Sequence, residues 1–81
     1  MKITIELKRN IHMYNHLLCV DVDEAHYEAI VESAPRHDKT VLIWLDDFGF
    51  PKDQVDQIKD QLTQWFDHEN IHVIYLDGHG R

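Results

Sequence analysis

The sequence predicts a small α/β fold of two or three layers with the element order β-β-α-β-α-β, formed by a single domain over residues 1–81. Residues 2–7 alternate strictly between apolar and polar side chains, as a half-exposed strand does. Residues 40–46 and 71–76 are short runs that are apolar on both faces, which is typical of buried parallel strands. A segment with helical spacing precedes each run, so we expect a mostly parallel sheet with an antiparallel N-terminal edge strand.

The first two strands are expected to form a hairpin. Residues 17–20 are a continuous apolar run that predicts a buried second strand. Cys19 lies within this run and is expected to be a small buried hydrophobic residue rather than a nucleophile. Residues 9–16 allow either a hairpin connection or a helical turn, because Ile11 and Tyr14 also fall at helical spacing. We favour the hairpin.

Residues 24–34 are expected to form the first helix. Their apolar side chains recur at the spacing of one helix face: Tyr27, Ile30, Val31 and Ala34. Asp21 and Asp23 precede the segment, and either carboxylate can accept hydrogen bonds from the free N–H groups at a helix start. Pro35 would end the helix, because a proline disfavours helical conformation in the residue before it.

A second helix is expected between Pro51 and about Asp67. Proline suits the first turn of a helix, where its missing N–H group costs nothing. One apolar stripe follows at helical spacing: Val55, Ile58, Leu62, Trp65 and Phe66. The last strand, residues 71–76, should therefore return parallel to the strand over residues 40–46.

Composition indicates an acidic cytoplasmic protein. Fifteen acidic residues outnumber eight basic ones, and the formal net charge is −7, which repels nucleic acid and attracts basic partners. No apolar run approaches the roughly 18 residues that span a membrane, and no secretory signal is visible. The single cysteine excludes an internal disulfide framework. Seven histidines make the surface charge sensitive to pH.

Carboxylates follow each of the strands that are expected to be parallel. Asp21, Asp46 and Asp77 should lie along one edge of the sheet, because parallel strands end together and ligands favour that edge. Carboxylates in this arrangement can hold Mg²⁺ for phosphoryl chemistry. The sequence therefore leaves open a Mg²⁺-dependent phosphoryl-transfer or phosphoesterase domain. Each Asp also has a local explanation as a cap or turn residue, and no phosphate-binding loop is present.

An acidic and aromatic rim is the other candidate site. Glutamates recur every four residues on the segment 24–34, and two carboxylates precede two aromatic rings in the loop after residue 45. An exposed aromatic ringed by carboxylates is a plausible hot spot for a basic protein partner. The predicted partner-binding residues are Asp46, Asp47, Phe48, Phe50, Glu24, Glu28 and Glu32.

These patterns favour a non-catalytic module that binds a basic protein, as an inhibitor, adaptor or assembly component. The expected strands are apolar on both faces, and helices confined to one face would leave the other open to water. A second copy of the chain would cover that open face. A homodimer, or a purely structural homo-oligomer subunit, is therefore the remaining alternative.

Overall fold

The computed structural model describes residues 1–34 and 39–80, except for the side chains of Asn10 and His12. The remaining residues, among them the expected helix stop at Pro35, lie outside the described part of the chain. The described chain forms five strands, a helix and a short 3-10 turn. Their bounds are β1 Ile3–His12, β2 Asn15–Val22, β3 Ala25–Ser33, β4 Thr40–Trp44, the 3-10 turn Leu45–Asp47, α1 Val55–His68 and β5 His72–Leu76.

The five strands form one sheet in the order β1-β2-β3-β4-β5, so each strand lies beside its neighbour in sequence. The pairs β1–β2, β2–β3 and β3–β4 are antiparallel, whereas β4 and β5 are parallel. Helix α1 connects the two parallel strands and packs over one face of the sheet. Strands β2, β4 and β5 therefore run in one direction, but β3 lies between the first two of them.

The predicted order β-β-α-β-α-β and the mostly parallel sheet are wrong. The segment that was expected to be the first helix forms strand β3, and the sheet is mostly antiparallel with a single helix among the described residues. Strand β3 pairs with β2 over its length, from Ala25 opposite Val22 to Glu32 opposite Asn15. Asp23 does not cap a helix: it occupies the tight connection between β2 and β3 with a left-handed φ of 54°.

The apolar side chains of this segment fit both the period of a helix and the shorter period of a strand. Pairing with β2 favours the strand. Two of the apolar positions that match a helix, Tyr27 and Val31, also fit an alternating strand and face the core together with Ala29, whereas Ile30 projects from the opposite face. Isolated helices of this length are marginal in water, whereas β3 gains a ladder of hydrogen bonds with β2. Residues 23–24 form a two-residue connection, which holds the two strands in antiparallel register.

Several expected elements are confirmed. Residues 9–16 belong to the β1–β2 hairpin, whose two-residue connection begins at Met13 with φ of 53°. The C-terminal helix forms as Val55–His68, so it ends near the predicted residue but begins later than the predicted start at Pro51. The last strand forms as predicted, and β5 pairs in parallel with β4 from His72 opposite Thr40 to Leu76 opposite Trp44. A helix between two adjacent strands makes this parallel pairing possible.

The core lies between α1 and one face of the sheet. Its largest fully buried side chains come from both layers: Phe66, Leu18, Ile43, Ile58, Leu62, Val20 and Val31. Alternation along the strands turns the neighbouring residues, such as Leu17 and Leu42, to the opposite face. No described helix covers that opposite face, which we call the open face.

Candidate functional site

The carboxylates of the 3-10 turn hold the segment after β5. Asp46 Oδ2 accepts a hydrogen bond from the Gly78 N–H at 3.1 Å. Asp47 accepts one from His79 Nδ1 at 2.8 Å and one from the Gly80 N–H at 3.1 Å. These contacts, which we call the tail clasp, join the carboxyl ends of β4 and β5. The parallel pairing of the two strands brings the partners together.

The tail clasp places Gly80 on the ring of Trp44. A Cβ atom at Gly80 would lie 2.6 Å from the Trp44 side chain, which is closer than real contacts allow. The tail therefore covers part of a large aromatic ring at the edge of the open face. Only glycine fits at this position without displacing either the ring or the tail.

The Mg²⁺-binding set of Asp21, Asp46 and Asp77 stays a prediction. Asp21 bonds to His26, whereas Asp46 bonds to the tail backbone, so these two carboxylates serve different local contacts. The side chain of Asp77 is exposed. No contact joins the three Asp side chains among the hydrogen bonds and ion pairs of the described residues.

The two aromatic rings of the predicted rim lie in the core. Phe48 and Phe50 are only 7% and 9% exposed, and their rings stack at a centroid distance of 4.9 Å. The Phe50 ring also meets Tyr27 of β3 edge to face at 5.0 Å. The loop after β4 thus closes one end of the core, and its rings are not presented to a partner.

The glutamate row lies on a strand instead of a helix. Residues four apart share a face of a strand as they do of a helix, so Glu28 and Glu32 both project from the open face. They flank Ile30 on that face of β3. Glu24 occupies the exposed connection between β2 and β3. The structure therefore brings two of the three glutamates beside apolar side chains.

An apolar stripe crosses the open face. Direct cross-strand pairs bring its members together, with Leu17 opposite Ile30 and Leu42 opposite Ile74. Ile74 is 40% exposed, and the others are partly exposed. We call this set the open stripe: Leu17, Ile30, Leu42, Trp44, Ile74 and Leu76.

A second cluster lies beside the open stripe on β2 and β3, and we call it the Cys19 cluster: Cys19, Asp21, His26 and Glu28. The register places Cys19 opposite Glu28 and Asp21 opposite His26. His26 donates from Nδ1 to Asp21 and from Nε2 to Glu28, the latter at 2.8 Å. Potential ligand atoms of Cys19, His26 and Glu28 all lie within 4.8 Å of one another.

Local interactions shift the acid–base behaviour of this cluster. The hydrogen bond to Asp21, followed by the one to Glu28, raises the pKa of the His26 imidazole, because both carboxylates favour its charged form. Burial raises the pKa of the Cys19 thiol, and the charge of Lys8 on β1 acts in the opposite direction. Both shifts favour the protonated forms, which are the imidazolium of His26 and the neutral thiol of Cys19.

A basic cleft lies on the helix side of the sheet. It has a volume of about 220 Å³, and Arg9 and Lys39 are its charged lining residues. His16 lies buried at its wall and shares a hydrogen bond with the Ser33 hydroxyl. Burial, followed by the charge of Arg9, lowers the pKa of His16. The neutral imidazole is thus favoured at this position.

Comparisons of the chain with models of protein families, with curated proteins and with solved structures give no match. Within the described residues, no helix is long and apolar enough to cross a membrane.

Sequence reasoning missed the Cys19 cluster and the open stripe, because both depend on β3 being a strand. The two-residue connection at residues 23–24 was the signal that could have revealed them. It separates a continuous apolar run at residues 17–20 from a segment in which Tyr27, Ala29 and Val31 alternate with other side chains, as the two strands of a hairpin can. A hairpin in that register places Cys19 opposite Glu28, whereas a helix would have carried Glu28 away from β2.

Proposed function

We propose that this protein is a non-catalytic module that binds a basic protein through its open face. The observation that carries the proposal is the open stripe, which lies uncovered by any described helix on the face away from α1. The acidic binding surface expected from the sequence is retained in part, through Glu28 and Glu32, and the buried rings of Phe48 and Phe50 are left out of it.

The open stripe supplies the apolar contact that such an interface needs. Protein interfaces combine an apolar centre with a polar rim, and aromatic side chains are enriched at their centre. The pairs Leu42–Ile74 and Trp44–Leu76 form a continuous apolar centre over two adjacent strands. A sheet presents this centre on a rigid surface, so little conformational entropy is lost on binding.

Charge determines which partner fits. Glu28 and Glu32 border the open stripe on β3, and the whole chain carries a net charge of −7. A partner with Lys or Arg beside an apolar patch would be steered to this face and complement its rim. A second copy of the chain would bring like charges together at the same rim. We therefore favour a basic partner over a homodimer.

A cytoplasmic setting is part of the proposal. It is supported by the free, buried thiol of Cys19, since reducing compartments keep such thiols unpaired. In that setting the protein would act as an inhibitor, adaptor or assembly component, because the open stripe is an apolar surface suited to binding another protein.

Affinity capture from a lysate of the source cells, followed by binding of the purified partner, tests the proposal. Ile74→Lys should abolish capture by placing a cation in the open stripe, and Glu32→Gln should weaken it. Met13→Lys is the matched control, because Met13 is 74% exposed at the tip of the β1–β2 hairpin, away from the open stripe. Binding should also weaken as salt is raised.

Three results would contradict the proposal. Captured proteins could bind the Ile74→Lys variant as well as the wild type, or their binding could be indifferent to salt. Sedimentation could instead show a dimer that Ile74→Lys dissociates, which would assign the open face to a second copy of the chain.

A further inference from the structure

We propose that the Cys19 cluster is a zinc site in which Cys19, His26 and Glu28 bind the ion and Asp21 orients His26. This inference does not rest on the docking function, because it is argued from donor chemistry and strand register instead of the open stripe, although Glu28 belongs to both surfaces. The donor set combines a thiolate, an imidazole and a carboxylate, which are the ligands that Zn²⁺ takes in proteins.

The geometry is nearly assembled without an ion. Ligand atoms around a tetrahedral Zn²⁺ lie about 3.4 to 3.6 Å apart, given usual bond lengths of about 2.0 to 2.3 Å. The three potential ligand atoms already lie within 4.8 Å of one another. His26 Nε2 and Glu28 Oε1 are 2.8 Å apart and need to separate by about 0.6 Å to admit the ion. Side-chain rotations suffice, because His26 and Glu28 are exposed.

Cys19 adds a sulfur ligand to the imidazole and the carboxylate. Its side chain lies on the open face, yet the residue is only 6% exposed, and its thiol makes no hydrogen bond to any described residue. Because Cys19 lies directly opposite Glu28 in the pairing of β2 with β3, their side chains are neighbours on the open face. A buried thiol that has no hydrogen-bond partner among the described residues and lies within 4.8 Å of an imidazole and a carboxylate is an arrangement that a soft metal ion completes.

Asp21 gives the histidine the orientation that a metal ligand needs. Asp21 accepts a hydrogen bond from Nδ1, so Nε2 is the ring nitrogen directed toward Glu28 and available to the ion. Metal-binding histidines commonly donate their second N–H to a carboxylate in this way. Binding of Zn²⁺ replaces the proton on Nε2 and the proton of the thiol, so both protons pass to solvent. Water completes the fourth position on the exposed side.

The test uses zinc chloride for affinity and cobalt chloride as a spectroscopic probe on the full chain. Wild-type protein should bind one ion per chain, and bound Co²⁺ should show a thiolate charge-transfer band. Cys19→Ser should abolish that band. Asp21→Asn should weaken zinc binding by about 10-fold, within the range for groups that orient a ligating histidine. His26→Gln and Glu28→Gln should each weaken it further.

His72→Gln is the matched control, because His72 is an exposed histidine on the same face but on β5. Its zinc affinity should equal that of the wild type. Absence of the charge-transfer band in the wild type, or equal zinc affinity in the wild type and His26→Gln, would overturn the proposal. If Cys19→Ser fails to fold, the exposed positions His26 and Glu28 still decide the outcome. Failure here leaves the docking test on Ile74 unaffected.

Discussion

Asp47 Oδ2 accepts a hydrogen bond from the Gly80 N–H at 3.1 Å, across 33 positions of the chain. The same carboxylate binds the His79 ring and is itself only 14% exposed. It thereby ties the turn after β4 to the tail after β5, which lies against the Trp44 ring at the edge of the open face.

Removing this carboxylate should release the tail. We expect Asp47→Ala to lower the free energy of unfolding by about 1 to 2 kcal/mol, as the loss of hydrogen bonds to a charged group does. Chemical denaturation measures this change, and amide exchange at Gly80 should become faster. Asp53→Ala is the control, because Asp53 is exposed just before α1. Equal free energies of unfolding for the two variants would show that the tail clasp does not stabilise the folded protein.

Gly80→Ala should detach the tail without altering the clasp carboxylates. The added Cβ would lie 2.6 to 3.0 Å from three atoms of the Trp44 ring, so either the tail or the ring must move. We expect a soluble quencher to reach Trp44 more readily, measured in a Trp65→Phe background so that one tryptophan reports. Asp77→Ala in the same background should leave quenching unchanged. Unchanged quenching in Gly80→Ala would contradict the contact.

The aromatic loop after β4 should act in stability and not in binding. Phe50→Ala should cost about 3 kcal/mol of unfolding free energy, because it removes a buried ring that packs against Phe48 and Tyr27. Tyr14→Ala, at a ring that is exposed in the β1–β2 connection, should change stability little. Thermal or chemical denaturation gives both values. A Phe50→Ala variant as stable as Tyr14→Ala would place the ring outside the core.

His16 should make stability depend on pH below neutrality. Burial, followed by the charge of Arg9, lowers the pKa of His16 in the folded chain. Below about pH 6.5 the unfolded chain therefore binds a proton at this histidine that the folded chain does not bind. The contribution of the neutral imidazole is complete above that pH and declines as pH falls toward the folded pKa. The stability difference between wild type and His16→Gln should therefore shrink from pH 7.5 to pH 5. A constant or widening difference would contradict this assignment.

The sequence predicts an element correctly where the spacing of its apolar side chains fits only one type of secondary structure. The alternation in β1 and the apolar stripe of α1 each match a single template, and both elements form as predicted. Strand β3 fits two templates, since Tyr27, Ile30 and Val31 match a helix while Tyr27 and Val31 also alternate. Pairing with β2 decides between them, and pairing is a tertiary interaction that no single segment encodes.

The sequence allowed some residues of the candidate site to be selected, but not the contacts that they make. Sequence reasoning selected Asp46 and Asp47 because they end a strand, but their role in holding Gly78 and Gly80 depends on where the tail returns. It selected Glu28 as part of a helical row, whereas the strand register places it opposite Cys19. The register of two paired strands determines which side chains are in contact. Replacing a helix by a strand therefore changes all of these contacts.

The proposed docking function requires the open face to be accessible in the free protein. Methyl-resolved NMR with a soluble paramagnetic probe measures this directly, because the probe broadens the signals of solvent-accessible methyl groups. We predict strong broadening at Ile74, weaker broadening at Ile30, and little at Ile43 and Ile58, which are fully buried between α1 and the sheet. Protection of Ile74 equal to that of Ile43 would show that this face is already covered and would contradict the proposed docking function.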